Sequence, residues 1–286
     1  MFKKAASCES AIVSVAACAD FHVLEACILA DEKKLAHFIL VGDAEKTYKI
    51  ANEVGFDISN FEIINEMDDL QACNISVSLV AEGKATALMK GLVDTGAIMR
   101  AALNRESGMR TGNKLSHLAA FELSSYHKLL FVTDAAINIA PTVDDKLQII
   151  QNAVAALNNL GIDTPKVALL AAKEKADEKM PITVECAEIA KMEWRNCIIE
   201  GPLALDNAVS LEACQIKGIR SVVGGDADLL VVPNIEAGNI LYKSFAYLAN
   251  ARLGGVVLGA KCPIILTSRA DSADSKLISI ALSVLC

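Results

Sequence analysis

The chain has 286 residues, 53% hydrophobic but only 5% aromatic, and a formal net charge of -8. That length supports one large or two medium domains, with a core of Ala, Val, Ile and Leu as in tightly packed α/β layers. An acidic chain without a basic run argues against nucleic acid or anionic membrane as a partner, because both require clustered Lys and Arg.

The N-terminus, MFKKAASCESAIVSVAACAD, has the outline of a secretory signal, but Glu9 interrupts its apolar part and Asp20 and His22 follow at once. A true signal is not favoured. No apolar stretch approaches membrane-spanning length. The nine cysteines form no C-x-x-C pair, so buried free thiols in a reducing, cytoplasmic setting are expected.

Short apolar runs alternate with helical patterns. Residues 11–17 read as a strand, and Asp20 caps a helix carrying Leu24, Cys27 and Ile28 on one face. A strand at 38–41 ends at Gly42-Asp43, and a helix over 44–54 closes at Gly55. Strands at 61–64 and 86–90 flank a helix at 70–81. Gly91 turns the chain into a helix over 96–103. Repeated β-α-β order predicts a parallel sheet covered on both faces.

The charged, glycine-bearing stretch 104–114 reads as a first domain crossing. Strands are then expected at 117–121, 129–132, 167–171, 197–200, 229–232 and 256–258. The clearest helix is 143–160, capped by Thr142, with Asp144 and Asp145 in its first turn and Gly161 at its end. Gly201-Pro202, Gly224-Gly225 and Gly254-Gly255 read as turns, with a helix starting at Asp206-Asn207. The last strand is expected at 263–267 and the last helix at 272–284.

Neither dinucleotide fingerprint nor phosphate loop is present, and neither H-E-x-x-H nor G-x-S-x-G appears. His22, His37, His117 and His127 are scattered without metal spacing, so no metal is expected. An anionic substrate would draw on Arg100, Arg105, Arg110, Lys243 or Arg269. The run ending in Thr267-Ser268-Arg269 brings a serine hydroxyl and a guanidinium, whose fork suits two phosphate oxygens, together at the end of a buried strand. The final helix, with Asp274 near its start, points its positive end at the same place. That grouping suggests phosphoryl or acyl-phosphate chemistry. On composition alone, the same residues also serve as a surface arginine, a capping serine and a helix-start acid.

Five segments in order resemble one family. They are Met89-Lys90-Gly91-Leu92-Val93-Asp94-Thr95 with Arg100, Thr133-Asp134-Ala135-Ala136-Ile137-Asn138 with Pro141-Thr142, Gly201-Pro202-Leu203-Ala204-Leu205-Asp206-Asn207-Ala208, Gly238-Asn239 with Tyr242-Lys243, and Ser268-Arg269. Together they resemble the phosphate acetyl- and butyryltransferases, with wording closer to the butyryl branch.

The resemblance implies two doubly wound α/β domains around a cleft, isocitrate/isopropylmalate dehydrogenase-like. The expected boundaries are 1–111 plus 259–286 for the first domain and 112–258 for the second. It implies interconversion of acyl-CoA plus inorganic phosphate with acyl phosphate plus CoA. Catalysis would fall to Ser268, Arg269 and Asp274, with Asp271 as a second candidate for the thiol base. The acetyl-transferring relatives carry an adjacent acidic pair here, whereas Ser275 follows Asp274. Substrate binding would fall to Lys90, Gly91, Thr95, Arg100, Asp206, Asn239 and Lys243. No cofactor is implied, CoA being a substrate, and a homodimer or higher homo-oligomer is expected. A metal- and NAD-dependent hydroxy-acid dehydrogenase of similar architecture and a non-catalytic CoA- or acyl-phosphate-binding protein are the other readings.

Overall fold

A computed structural model describes residues 1–8, 11–267 and 271–286. The chain divides into two compact units, Met1–Asn113 with Gly254–Cys286, and Lys114–Leu253.

The first unit begins with a short helix, α1 (Phe2–Ala5). It continues through β1 (Ala11–Ala16), α2 (Phe21–Glu32), β2 (Ala36–Gly42), α3 (Ala44–Val54), β3 (Glu62–Asn65), α4 (Asp69–Ala81), β4 (Ala87–Lys90) and α5 (Thr95–Leu103). The second unit holds β5 (Ser116–Glu122), β6 (Leu130–Thr133), α6 (Val143–Asn159), β7 (Lys166–Leu170), α7 (Pro181–Ala190), β8 (Ile198–Leu203), α8 (Leu205–Val209), α9 (Leu211–Ile216), β9 (Leu229–Val231) and α10 (Ile235–Lys243), which runs into a π-helical turn, Ser244–Leu248. Most of β10 (Arg252–Leu258), with β11 (Ile264–Ile265) and α11 (Ala273–Leu285), returns to the first unit.

In the first unit the strand order is β3-β2-β1-β4-β11-β10. From β1 the chain winds outward through β2 to β3, then crosses back to β4. Right-handed crossovers therefore put α4 on the opposite face from α2 and α3. The helices pack accordingly, α2 against α11 and α4 against α5. Local chemistry starts and stops them. Asp20 Oδ1 accepts from the Val23 N–H at 3.0 Å, and Asp43 Oδ1 from the Lys46 N–H at 2.9 Å. Gly55 ends α3 with φ +75°, a left-handed cap that costs glycine nothing.

In the second unit the order is β5-β6-β9-β7-β8. Phe121, Val132, Leu170 and Leu230 are among the side chains of its apolar core. Thr142 and Asp145 form a reciprocal capping box at the start of α6.

The structure revises several expectations. The sheet is mixed: β10 pairs antiparallel with β11 and β5 antiparallel with β6. Both pairs are joined by short connections, 259–263 and 123–129, which leave no room for the helical crossover that parallel pairing needs. Gly201-Pro202 lies inside β8 and Gly254-Gly255 inside β10; neither is a turn. The last strand shrinks to Ile264–Ile265. Cys8 is exposed, whereas Cys18, Cys27, Cys73, Cys186, Cys214 and Cys262 are buried. Among the described residues no helix is long and apolar enough to cross a membrane.

Candidate active site

In the first unit the order of connection reverses between β1 and β4. Open α/β sheets bind ligands outside the carboxyl ends of their strands at such a point. Parallel register sets Ala16 beside Lys90 and Met89 beside Ile265, so the chain leaves β1, β4 and β11 along one edge.

The turn after β4 presses onto the end of β1. The N–H groups of Gly91 and Leu92 donate to the carbonyls of Ala16 and Ala17, each at 2.8 Å. Any side chain at Gly91 would collide there, since a Cβ would stand 2.2 Å from the Ala17 oxygen. Lys90 is consequently carried into the interior, only 4% exposed. Its ammonium donates to the carbonyls of Gly91 at 3.3 Å and Val93 at 3.0 Å.

A small recess opens at this edge, lined by Asp20, Val23, Lys90, Gly91, Leu92, Thr267 and Lys276. Thr267 is 6% exposed, and its hydroxyl has no hydrogen-bond partner among the described residues. Lys276, in the first turns of α11, is 3% exposed and donates to the Asp271 carbonyl at 2.6 Å. Burial pushes its amine below the usual lysine range, against the opposing pull of Asp271 and Asp20.

The other expected residues distribute as follows. Asp274 lies in the first turn of α11, half-buried, and Asp271 stands just before the helix. Ser272 caps α11 by accepting from the Ser275 N–H at 3.2 Å. Ser268 and Arg269 lie outside the described residues. Thr95 opens α5 and Arg100 sits in its last turn, both exposed. In the second unit Asn239 and Lys243 are exposed on α10, and Asn239 Nδ2 donates to the Ala135 carbonyl at 3.4 Å. Tyr242 turns its ring edge-on to Phe121, 5.4 Å between centroids, and so packs on the second unit's core. Asp206 is engaged by Lys217 at 2.9 Å, and that hydrogen bond holds its carboxyl below the usual range. Lys217 also reaches Glu174, which ties Asp206 into a local ion network.

Sequence reasoning brought Lys90 and Gly91 to this edge and missed Lys276. The available signal was a single lysine inside a final helix whose other positions beyond the first turn are apolar or Ser. A charge on a helix buried along its length has a reason to be there. Among the described residues no group of three or more His, Cys, Asp or Glu side chains is placed to hold a metal ion.

The sequence profile of the family described as Phosphate acetyl/butaryl transferase matches residues 66–284. The chain belongs to this family. The match takes in β4, the Gly91 turn and α11, and hence Lys90, Thr267 and Lys276. A relative named phosphate butyryltransferase from Clostridium beijerinckii is 46% identical over 277 residues, covering 96% of this chain and 92% of the relative. Another phosphate butyryltransferase, from Clostridium acetobutylicum, is 43% identical over 286 residues, covering 99% and 95%. Among solved structures, a branched-chain phosphotransacylase from Enterococcus faecalis V583 superposes with a TM-score of 0.86 at 34% identity, covering 96% of this chain and 98% of that one.

Proposed function

We propose that this chain is a phosphate acyltransferase that interconverts short-chain acyl-CoA plus inorganic phosphate with acyl phosphate plus CoA, favouring butyryl and branched acyl groups over acetyl. The observation that carries this reading is the near-full-length likeness, at 46% and 43% identity, to proteins named phosphate butyryltransferase. The 34% likeness to a branched-chain phosphotransacylase supports the inclusion of branched groups.

In the acyl-phosphate-forming direction a phosphate oxygen attacks the thioester carbonyl. The new C–O bond forms, the C–S bond breaks, and sulfur leaves as thiolate and takes up a proton. In the reverse direction a carboxylate takes that proton from the thiol, the role assigned here to Asp274. The enzyme's work is to position two anionic substrates and stabilise the oxyanion of the tetrahedral intermediate. Lys90 at the sheet edge, with Ser268 and Arg269, supplies cations and donors for the phosphate end. Thr95, Arg100, Asn239 and Lys243 are the remaining substrate contacts in this reading. Asp206, already held by Lys217, acts by stabilising its own segment.

The reading includes a cytoplasmic location, supported by the nine free cysteines. It also includes a homodimer or larger homo-oligomer, supported by the exposed apolar side chains Ile240, Tyr247 and Leu248 on α10 and its π-helical turn. Sedimentation of the purified chain tests the latter; a monomer at all concentrations contradicts it. The activity is tested by trapping the product. Butyryl-CoA with hydroxylamine and the enzyme should yield butyryl hydroxamate much faster with phosphate than without it, above the slow direct reaction of the thioester. Hydroxamate formed equally without phosphate contradicts the reading.

A further inference from the structure

We infer that Lys276 and Thr267, together with Lys90, form an oxyanion subsite that takes one oxygen of inorganic phosphate or of the acyl phosphate. The inference rests on the phosphate acyltransferase reading for the identity of the anion, and on the recess itself for the site.

Three polar groups from three segments converge where the fold would otherwise bury apolar side chains. Lys90 comes from the end of β4, Thr267 from the segment after β11, and Lys276 from α11. A buried hydroxyl without a partner is unfavourable, and a valine of nearly the same shape would avoid that cost. The hydroxyl of Thr267 is therefore explained by something that enters the recess and bonds to it. Two ammonium groups line the same recess against one carboxylate, Asp20, whose Oδ1 is occupied by the Val23 N–H. Asp271 also faces Lys276, through its backbone carbonyl at 2.6 Å and its acidic side chain. With the carboxylates of Asp20 and Asp271 set against two ammonium groups there is no surplus charge. The preference for an anion comes from the donors that face the recess, the ammonium groups of Lys90 and Lys276 and the Thr267 hydroxyl, which an anionic oxygen meets most strongly. The recess has room for a water-sized group, which fits a single oxygen of a larger anion. Val23 and Leu92 supply apolar walls that strengthen such contacts by excluding water. Lys276 Nζ also donates to the Asp271 carbonyl at 2.6 Å, so an oxygen held by its ammonium lies close to Asp271, one of the two candidate thiol bases.

The test compares Lys276→Met, Thr267→Val and Thr267→Ser with the parent in acyl-CoA:phosphate transfer. Lys276→Met and Thr267→Val should each raise the phosphate KM about tenfold, as expected for a lost buried hydrogen bond to an anion, with the acyl-CoA KM unchanged. Thr267→Ser keeps the hydroxyl and should retain the parental phosphate KM. A purely structural threonine predicts the opposite: Val tolerated and Ser, which leaves a methyl-sized gap, the more disturbed. Parental phosphate KM in Thr267→Val overturns the inference even where Lys276→Met does not fold. A rise in the CoA-ester KM instead of the phosphate KM also overturns it, by moving the anion to CoA.

A second arm needs no turnover. Inorganic phosphate should raise the melting temperature of the parent and of Thr267→Ser, and less so that of Thr267→Val. A parent stabilised by phosphate yet unable to transfer any acyl group would sink the proposed function and leave the subsite standing. An active parent whose phosphate stabilisation is unchanged in Thr267→Val would do the reverse.

Discussion

Gly91 lies so close to Ala17 that a Cβ on it would stand 2.2 Å from the Ala17 carbonyl oxygen and 2.6 Å from that of Ala16. Both obstacles are strand-end backbone and cannot rotate away. Gly91→Ala must therefore push the β4 turn off β1 and withdraw Lys90 from the recess. The expected loss of stability is ~3 kcal/mol, the upper end of ordinary overpacking, with loss of acyl transfer. Gly96→Ala is the comparison, because its Cβ would meet only the mobile end of Arg100 at 3.2 Å. That variant should hold or raise the melting temperature, since helical glycine is unfavourable by ~0.5–1 kcal/mol relative to alanine. Thermal melts of the two variants decide it; a Gly91→Ala protein as stable as the parent contradicts the packing.

Asp226 gathers two lysines and a histidine, Lys166 at 2.6 Å and Lys128 and His127 each at 2.8 Å. Burial pushes its carboxyl up, but the hydrogen bonds from Lys128, Lys166 and His127 outweigh that and hold it well below the usual range. A carboxyl lowered in the folded state stabilises above its unfolded value, near ~3.9, and loses that contribution as pH falls towards the folded value. Asp226→Asn should therefore lower stability by ~1 kcal/mol at neutral pH, a figure discounted for a part-exposed group. The gap between variant and parent should close below about pH 4. Denaturant unfolding at several pH values reads this directly, and a gap that widens on acidification contradicts the assignment.

Asp274→Asn should slow the reaction of CoA with acyl phosphate, where a thiol must lose its proton. The defect should shrink as pH approaches the thiol value near ~8.5, because free thiolate then replaces the base. Asp271→Asn is the companion variant. A defect in Asp274→Asn that is flat with pH, or a larger one in Asp271→Asn, transfers the role away from Asp274.

Arg269→Ala should weaken the use of phosphate and acyl phosphate far more than that of CoA. Loss of a charge-assisted fork contact typically costs ~1.5–3 kcal/mol, one to two decades in kcat/KM. Arg269→Lys should recover only part, because an ammonium cannot form the fork. Parental phosphate kinetics in Arg269→Ala would remove this residue from the phosphate site.

Much of the framework could be read from single residues. Asp20, Gly55, and Thr142 with Asp145 marked helix ends because each cap is a local interaction with a fixed spacing. Tertiary contacts defeated the same reasoning elsewhere. Gly254 reads as a turn, yet it is strand backbone against which α11 packs; a Cβ there would meet the Ser279 nitrogen at 2.6 Å. Pro202 reads as a turn, yet β8 is an edge strand and can do without one N–H. Helix α7 was missed although Pro181 sits at its first position, where proline is at home. Within the candidate site, Lys90 and Gly91 were legible because a strand, a glycine and a helix followed one another. Lys276 was not, because one lysine in a helix ordinarily faces water and only the packing of α11 on α2 shows that this one does not.

The most direct measurement is thiol release from acetyl-, butyryl-, isobutyryl- and isovaleryl-CoA, each with and without inorganic phosphate. The account predicts release that depends on phosphate and favours butyryl over acetyl by roughly tenfold in kcat/KM, since two further methylenes buried at ~0.8 kcal/mol each correspond to about that ratio. The two branched esters should be accepted. Equal or higher efficiency with acetyl-CoA would contradict the butyryl preference. Thiol release from none of the four esters, or release indifferent to phosphate, would contradict the phosphate acyltransferase itself.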